Sequence, residues 1–149
     1  MRLSYRLKHH FFSAFREFFV HHHNSLAFRA KIFALIIAAD ENSMAENYIL
    51  VKKLALKIYK NDEERAILLM SSTREIVEKI FEGNNLNIDT LVETIKKDLK
   101  VVPRYAKKID IESLRSIVSL TEDLDTAHYQ MNILEFLEKL KEETLKNSK

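Results

Sequence analysis

The chain has 149 residues, of which 46% are hydrophobic and 31% charged, a globular composition long enough for one domain with its own core. It has no cysteine, which excludes disulfides, thiolate metal sites and cysteine nucleophiles, and its single glycine and single proline disfavour an all-β fold. The net charge is +2, with six basic residues and one acidic residue in positions 1–31 and a mildly acidic remainder.

Residues 1–24 predict a basic amphipathic helix. Its apolar positions recur at steps of three and four, as on one face of a helix. Two roles stay open: the phenylalanine face packs onto the domain, which we favour, or residues 1–20 lie on an anionic membrane surface. The interrupting charges do not fit a secretory signal. The apolar positions are Leu3, Leu7, Phe11, Phe15, Phe18 and Phe19.

The segment from Leu26 to Ala39 predicts the central helix of the fold. It is apolar on nearly all sides, so we expect Ile36 to be fully buried. A membrane span needs about 20 apolar residues, and this shorter segment also contains Arg29 and Lys31, so a core helix is the better interpretation. Asn24 or Ser25 can cap its start.

The remaining sequence predicts five more helices, which gives an all-α fold: a compact bundle of about seven helices over residues 1–143, with a frayed tail at 144–149. We expect a break in the fourth helix at residues 71–73 and its end at Gly83, with Pro103 in a later connector. The expected starts are Ser43 with Glu46 in a capping box, then Asn61, Asp89, Asp110, and Asp125 or Thr126.

Two acidic turns stand in similar settings, at residues 38–46 and 120–128. Each lies between an apolar helix and an amphipathic one, and Asp40 of the first matches Glu122 of the second. The pattern predicts a pseudo-two-fold repeat of helix, acidic turn and helix. Chance similarity between two helical hairpins is the alternative, and the residues do not decide between them.

The acidic turns also predict a cation site, because Ca²⁺ and Mg²⁺ are bound by several oxygen ligands. The alternative is that these acids cap helices and interact with helix dipoles, which the residues alone favour. The oxygen-bearing candidates are Asp40, Asn42, Ser43 and Glu46 in the first turn, and Glu122, Asp123, Asp125 and His128 in the second.

Residues 33–40, with the sequence FALIIAAD, are followed by Glu46 on an amphipathic helix. This pattern resembles the signature of the TerB-like (tellurite resistance protein TerB) family, and the resemblance extends over roughly residues 25–143. It implies an all-helical, pseudo-symmetric bundle with acidic metal-binding positions between its halves. It also implies a link to tellurite resistance, stress response or membrane-associated complexes.

By position in that signature, Asp40 and Glu46 inherit the ligand role, and Glu122 inherits it through the repeat. Together with Asp125 of the second turn, the predicted metal ligands are therefore Asp40, Glu46, Glu122 and Asp125. The chain departs from the family at Glu41, where the family has glycine. A tight turn with positive φ is less comfortable for glutamate than for glycine. The resemblance therefore implies at most weak binding of Ca²⁺ or Mg²⁺ here.

These observations predict a bacterial, cytoplasmic binding module that is not an enzyme and that recognises a protein partner. One alternative is a peripheral membrane protein anchored by residues 1–20, at the inner membrane. Another is a metal-dependent hydrolase with Asp40, Glu46 and Glu122 as ligands. Nucleic-acid binding is not expected, because the overall charge is close to neutral.

Overall fold

A computed structural model of the chain describes residues 24–83 and 86–148. Within these ranges there is no strand, and the all-α fold is confirmed. The predicted N-terminal helix and the two roles considered for it lie outside the described residues. The elements are α1 (Ser25–Ala38), α2 (Ala45–Ile58), α3 (Glu63–Glu82), α4 (Ile88–Val101), the 3₁₀ helix η1 (Pro103–Lys108), α5 (Ile111–Val118) and α6 (Leu124–Asn147).

Helix α1 is the centre of the bundle, as its apolar sequence predicts. Most of its residues are buried, and Ile36 is fully buried. It packs against α3, α4, η1, α5 and α6. A helix surrounded in this way needs apolar side chains around its whole circumference, which explains why this segment lacks the polar face that the other helices have.

Two contacts fix α4 and η1 beside α1. The ammonium of Lys31 lies 2.6 Å from the Asp98 carboxylate, and both side chains are largely shielded from solvent. The rings of Phe28 and Tyr105 pack with their centroids 5.3 Å apart. Because Phe28 is in the first turns of α1, η1 lies next to the N-terminal half of that helix.

Three predicted helix boundaries are confirmed. The Asn24 side chain accepts a hydrogen bond from the N–H of Ala27 at 2.8 Å, so of the two candidates Asn24 caps α1. Asp110 caps α5 by accepting from the N–H of Ser113 at 3.3 Å. Gly83 ends α3 in the left-handed conformation with φ 73°, which glycine adopts without steric penalty.

Two predicted starts are wrong by one or two residues. Helix α3 is capped by Asp62, which accepts from the N–H of Arg65, while Asn61 precedes it in a left-handed turn with φ 67°. Helix α4 is capped by Asn87, which forms a reciprocal capping box with Thr90, and not by Asp89. In each case two residues with capping side chains lie within two positions of each other, and the one whose oxygen reaches the third N–H of the helix caps it.

The starts of α2 and α6 also differ from the prediction. Residue Met44 occupies the cap position of α2 without a side-chain hydrogen bond, so Ser43 forms no capping box with Glu46. Helix α6 begins at Leu124 and is capped by Asp123. Both differences lie in the acidic turns.

Two expected interruptions are absent from the described helices. Helix α3 continues through residues 71–73. The hydroxyls of Ser72 and Thr73 donate hydrogen bonds to carbonyls four residues earlier, so both polar groups find a partner within the helix. Helix α6 extends to Asn147 through most of the expected frayed tail. Leu145 packs against the core, which gives this last turn an apolar anchor.

Candidate functional site

One buried glutamine brings the two acidic turns to the same end of the bundle. The side chain of Gln130 is fully buried in α6. Its Nε2 donates to the carbonyl of Ile36 at 3.0 Å, and its Oε1 accepts from the hydroxyl of Thr121 at 2.7 Å. Ile36 lies in the last turn of α1 and Thr121 lies in the turn before α6, so this amide joins the end of α1, which the first acidic turn follows, to the second acidic turn.

The first turn is organised by Asp40. Its buried carboxylate accepts from the N–H of Asn42 at 2.9 Å, and its carbonyl accepts from the N–H of Ser43 at 3.1 Å. Aspartate commonly closes turns in this way. Among the described residues other than glycine, only Lys60 and Asn61 have a positive φ. Glu41 therefore does not adopt the left-handed backbone conformation that would strain a glutamate at the position of the family's glycine.

The second turn is organised by Asp123. Its carboxylate accepts from the hydroxyl of Thr126 at 2.6 Å and from the N–H of Thr126 at 2.9 Å. The side-chain hydrogen bond from Thr126, supported by the backbone one, lowers the pKa of the Asp123 carboxyl below its usual value. This residue caps the longest helix of the described structure and belongs to the site, although we did not choose it as a metal ligand.

The four predicted metal ligands are not equivalent in the structure. Asp40 is buried and engaged in its turn, whereas Glu46, Glu122 and Asp125 are exposed near the starts of α2 and α6. Within the described ranges no three acidic or histidine side chains are grouped so that they could hold one ion. The structure thus gives Asp40 a turn-forming role, and metal binding by these residues stays a prediction.

The two hairpins differ in ways that bear on the predicted repeat. Helices α1 and α2 have 14 residues each, whereas α5 has 8 and α6 has 24. Asp40 is buried, and its expected counterpart Glu122 is exposed. The resemblance between the turns is therefore limited to their place between helices and their acidic composition, and duplication stays a prediction.

Our sequence analysis missed Gln130, the residue that joins the turns. A signal for it exists, because Gln130 precedes Leu134 and Leu137 by four and seven residues and so lies on the buried face of α6. A polar residue on such a face must find hydrogen-bond partners. The sequence alone does not indicate which partners.

The surface around the two turns combines acidic and apolar side chains. Met44 is 64% exposed and Leu124 is 85% exposed, and each stands at the start of a helix. No lysine or arginine occurs in residues 32–51 or 116–138. We call this surface the acidic end, and it comprises Met44, Leu124 and the exposed acids Glu41, Glu46, Glu122, Asp123 and Asp125.

Comparison of the chain with models of protein families, with curated proteins and with solved structures finds no match. Membership of the TerB-like family accordingly stays a prediction from residues 33–46. None of the helices in the described ranges has the length and apolar character needed to cross a membrane.

Proposed function

We propose that this chain is a TerB-like helical binding module that recognises a protein partner through the acidic end. The observation that carries the proposal is the pair of hydrogen bonds made by Gln130, which holds both turns at one end of the bundle. Met44 and Leu124 stand at the starts of the helices that follow the two turns, and both are exposed to solvent. Apolar side chains held in this way beside charged ones are typical of a protein contact surface.

The partner we propose is an amphipathic segment with basic residues. Its apolar side chains would bury Met44 and Leu124, and its lysines or arginines would face the five exposed acids. Complementary charge raises the association rate and selects against acidic partners. The proposal is one of binding, because Asp40 and Asp123 use their carboxylates to close a turn and to cap a helix, while Met44 and Leu124 are exposed to a partner.

Titration with a synthetic helical peptide tests this proposal. The probe is a peptide of about 18 leucine and lysine residues in amphipathic order, with a scrambled peptide of the same composition as its control. Met44→Ser combined with Leu124→Ser should weaken binding about 10-fold, as expected for residues at the centre of a contact. Val101→Ser is the matched control, because Val101 is also highly exposed, at 75%, but lies at the end of α4.

The acids are tested separately. Glu122→Gln with Asp125→Asn should weaken peptide binding and reduce its dependence on salt. Glu142→Gln with Glu143→Gln removes the same charge from an exposed part of α6 near its C-terminus and should leave binding unchanged. Equal effects of the two pairs, or equal binding of the scrambled peptide, would refute recognition at the acidic end.

Dependence on a divalent cation and a role in stress or tellurite resistance are finer parts of the same proposal. They rest on the resemblance of residues 33–46 to the TerB-like signature. A cation would act at the acidic end by offsetting repulsion among exposed carboxylates, for which Ca²⁺ or Mg²⁺ has suitable chemistry.

A further inference from the structure

A second charged surface lies on α4 and η1. Residues 96–108 contain six basic residues and one acidic residue, a net charge of +5 within a body that is mildly acidic overall. The acidic residue is Asp98, whose carboxylate is paired with Lys31 at 2.6 Å. We call the exposed members of this segment the basic surface: Lys96, Lys97, Lys100, Arg104 and Lys107.

The positive charge of the basic surface is largely uncompensated. Among the described residues, Lys96 is its only member with an ion pair, to the exposed Glu93 at 3.6 Å. A further cation approaches from α6, where Lys141 donates to the carbonyl of Ile109 at 2.7 Å, immediately after η1. These positively charged side chains repel one another, and an anionic partner would relieve the repulsion.

The local geometry groups these cations. Lys97 and Lys100 are three residues apart on α4, so they are neighbours on its surface. Arg104 and Lys107 are three residues apart in a 3₁₀ helix, where such positions lie above one another. Helices α4 and η1 pack together, and Val101, which lies between the two pairs in sequence, is 75% exposed.

The basic surface and the acidic end are at opposite ends of α1. The Phe28–Tyr105 contact places η1 beside the N-terminal half of α1, while the first acidic turn follows its C-terminus. The rise of an α-helix puts about 15 Å between Phe28 and Ala38, the last residue of α1. A partner bound at the acidic end therefore leaves the basic surface accessible.

We propose that the basic surface binds an anionic membrane surface, with Val101 entering the headgroup region. Clustered lysines are attracted to anionic lipids, and the exposed aliphatic side chain that follows Lys100 in the chain adds apolar burial. This contact is distinct from the one considered for residues 1–20, because it uses residues of α4 and η1.

The same geometry disfavours single-stranded nucleic acid as the occupant. Such ligands stack their bases on aromatic rings. Among the described residues, two rings lie against cations of the basic surface and are covered by them: Arg104 lies over Tyr105 at 5.7 Å, and Lys96 lies over Phe136 at 5.8 Å. Tyr105 is also buried. Binding of lipid headgroups needs no such ring, because the lysine ammonium acts as a compact point charge that attracts the phosphate.

Vesicle sedimentation with the full chain tests this inference. Vesicles containing roughly one-third phosphatidylglycerol in phosphatidylcholine should bind the protein, and vesicles of phosphatidylcholine alone should not. Lys97→Gln with Lys100→Gln should weaken partitioning about 30-fold, from the usual contribution of each basic residue near an anionic surface. Lys53→Gln with Lys57→Gln is the matched control, because both lysines are exposed on α2 and both pairs lower the net charge from +2 to 0.

Two further measurements separate the alternatives. Val101→Ser should weaken partitioning by a factor that persists at high salt, whereas the lysine effect should shrink as salt screens the charges. Equal losses for the two lysine pairs would overturn the proposal and assign membrane binding to other residues, such as those in positions 1–20. Binding to neutral vesicles, or tighter binding to a single-stranded oligonucleotide than to anionic vesicles, would also overturn it.

Discussion

The side-chain amide of Gln130 donates a 3.0 Å hydrogen bond to the main-chain carbonyl of Ile36, 94 residues earlier in the chain. The last four carbonyls of a helix have no donor within that helix, and a buried one needs a donor from elsewhere. Helix α1 ends inside the bundle, so solvent cannot supply that donor. Gln130 supplies it and at the same time accepts from Thr121, which connects the core of the fold to both acidic turns.

Replacement of this amide should therefore destabilise the protein. Gln130→Leu keeps the side chain close in size but leaves the Ile36 carbonyl without its partner, and a buried unsatisfied group of this kind costs about 1–3 kcal/mol in the free energy of unfolding. Chemical denaturation measures this change. Asn132→Leu is the control, since Asn132 is an exposed amide on the same helix. Equal stability of the two variants would show that the Gln130 bridge does not support the fold.

The central position of α1 gives a second prediction. Ile36→Ala should lower the free energy of unfolding by about 2–5 kcal/mol, because the side chain is fully buried and its removal leaves a cavity. Ile49→Ala makes the same chemical change at a position that is 56% exposed on α2 and should have a much smaller effect. A loss below about 1 kcal/mol for Ile36→Ala would contradict the central packing of α1.

The architecture could be predicted from the sequence because it depends on local patterns. The uninterrupted apolar run in α1 requires burial on every side, and Gly83 and Asp110 mark boundaries through their own backbone and side-chain chemistry. The boundaries that we missed, at Asn61 and Asp89, have a second capping residue close by, and small differences in reach decide between the two.

The site could be predicted only in part. Local sequence identifies Asp40 as a residue in a special turn but cannot distinguish a turn-forming carboxylate from a ligand, because that depends on which other oxygens converge on it in space. The Gln130 contacts join residues far apart in sequence. The sequence analysis did not identify the basic surface, because it summed the charge over all residues after position 31. In that sum the net charge of +5 in residues 96–108 is outweighed by acidic residues elsewhere.

The Lys31–Asp98 pair gives a third prediction. Its atoms are 2.6 Å apart and its side chains are 21% and 10% exposed, so solvent screens it less than a surface pair. A double-mutant cycle with Lys31→Met and Asp98→Asn should give a coupling free energy of about 1–2 kcal/mol. The cycle for Arg74 and Glu78, which are 57% and 55% exposed, should give about 0.5 kcal/mol or less. Equal couplings would contradict a structural role for the Lys31 pair.

Asp123 gives a prediction about pH. Its pKa is lowered in the folded state, mainly by the hydroxyl of Thr126, so the folded protein holds this proton less tightly than the unfolded chain. The stabilisation is fully present above the ordinary aspartate pKa of about 3.9 and is lost as pH falls through the lowered folded pKa. Asp123→Ala should therefore destabilise the protein near neutral pH, and its difference from wild type should narrow in acid.

Denaturation curves measured from neutral to acidic pH check this prediction. Asp125→Ala is the control, because Asp125 is also exposed in the first turn of α6 but does not cap it. A difference between wild type and Asp123→Ala that stays constant with pH would contradict a charged cap at this position.

The last prediction concerns divalent cations at the acidic end. The family resemblance predicts weak binding of Ca²⁺ or Mg²⁺, with a Kd of about 10⁻⁴ M, the range of low-affinity oxygen sites. Binding to the folded state alone would then stabilise the protein by about 2.7 kcal/mol at a cation concentration of 100 Kd. Glu46→Gln and Asp125→Asn should each reduce this stabilisation, whereas Glu142→Gln with Glu143→Gln should not, because those glutamates lie near the other end of α6.

Asp40→Asn gives the sharpest form of the cation test, because an asparagine oxygen can still accept the N–H of Asn42 and close the turn while the charge is removed. A ligand role for Asp40 predicts that this variant folds normally and loses the cation effect. Calorimetric titration and thermal unfolding measure both properties, with NaCl at matched ionic strength as the reference. No heat and no shift beyond that of NaCl would refute cation binding and leave these carboxylates as turn, cap and partner-binding groups.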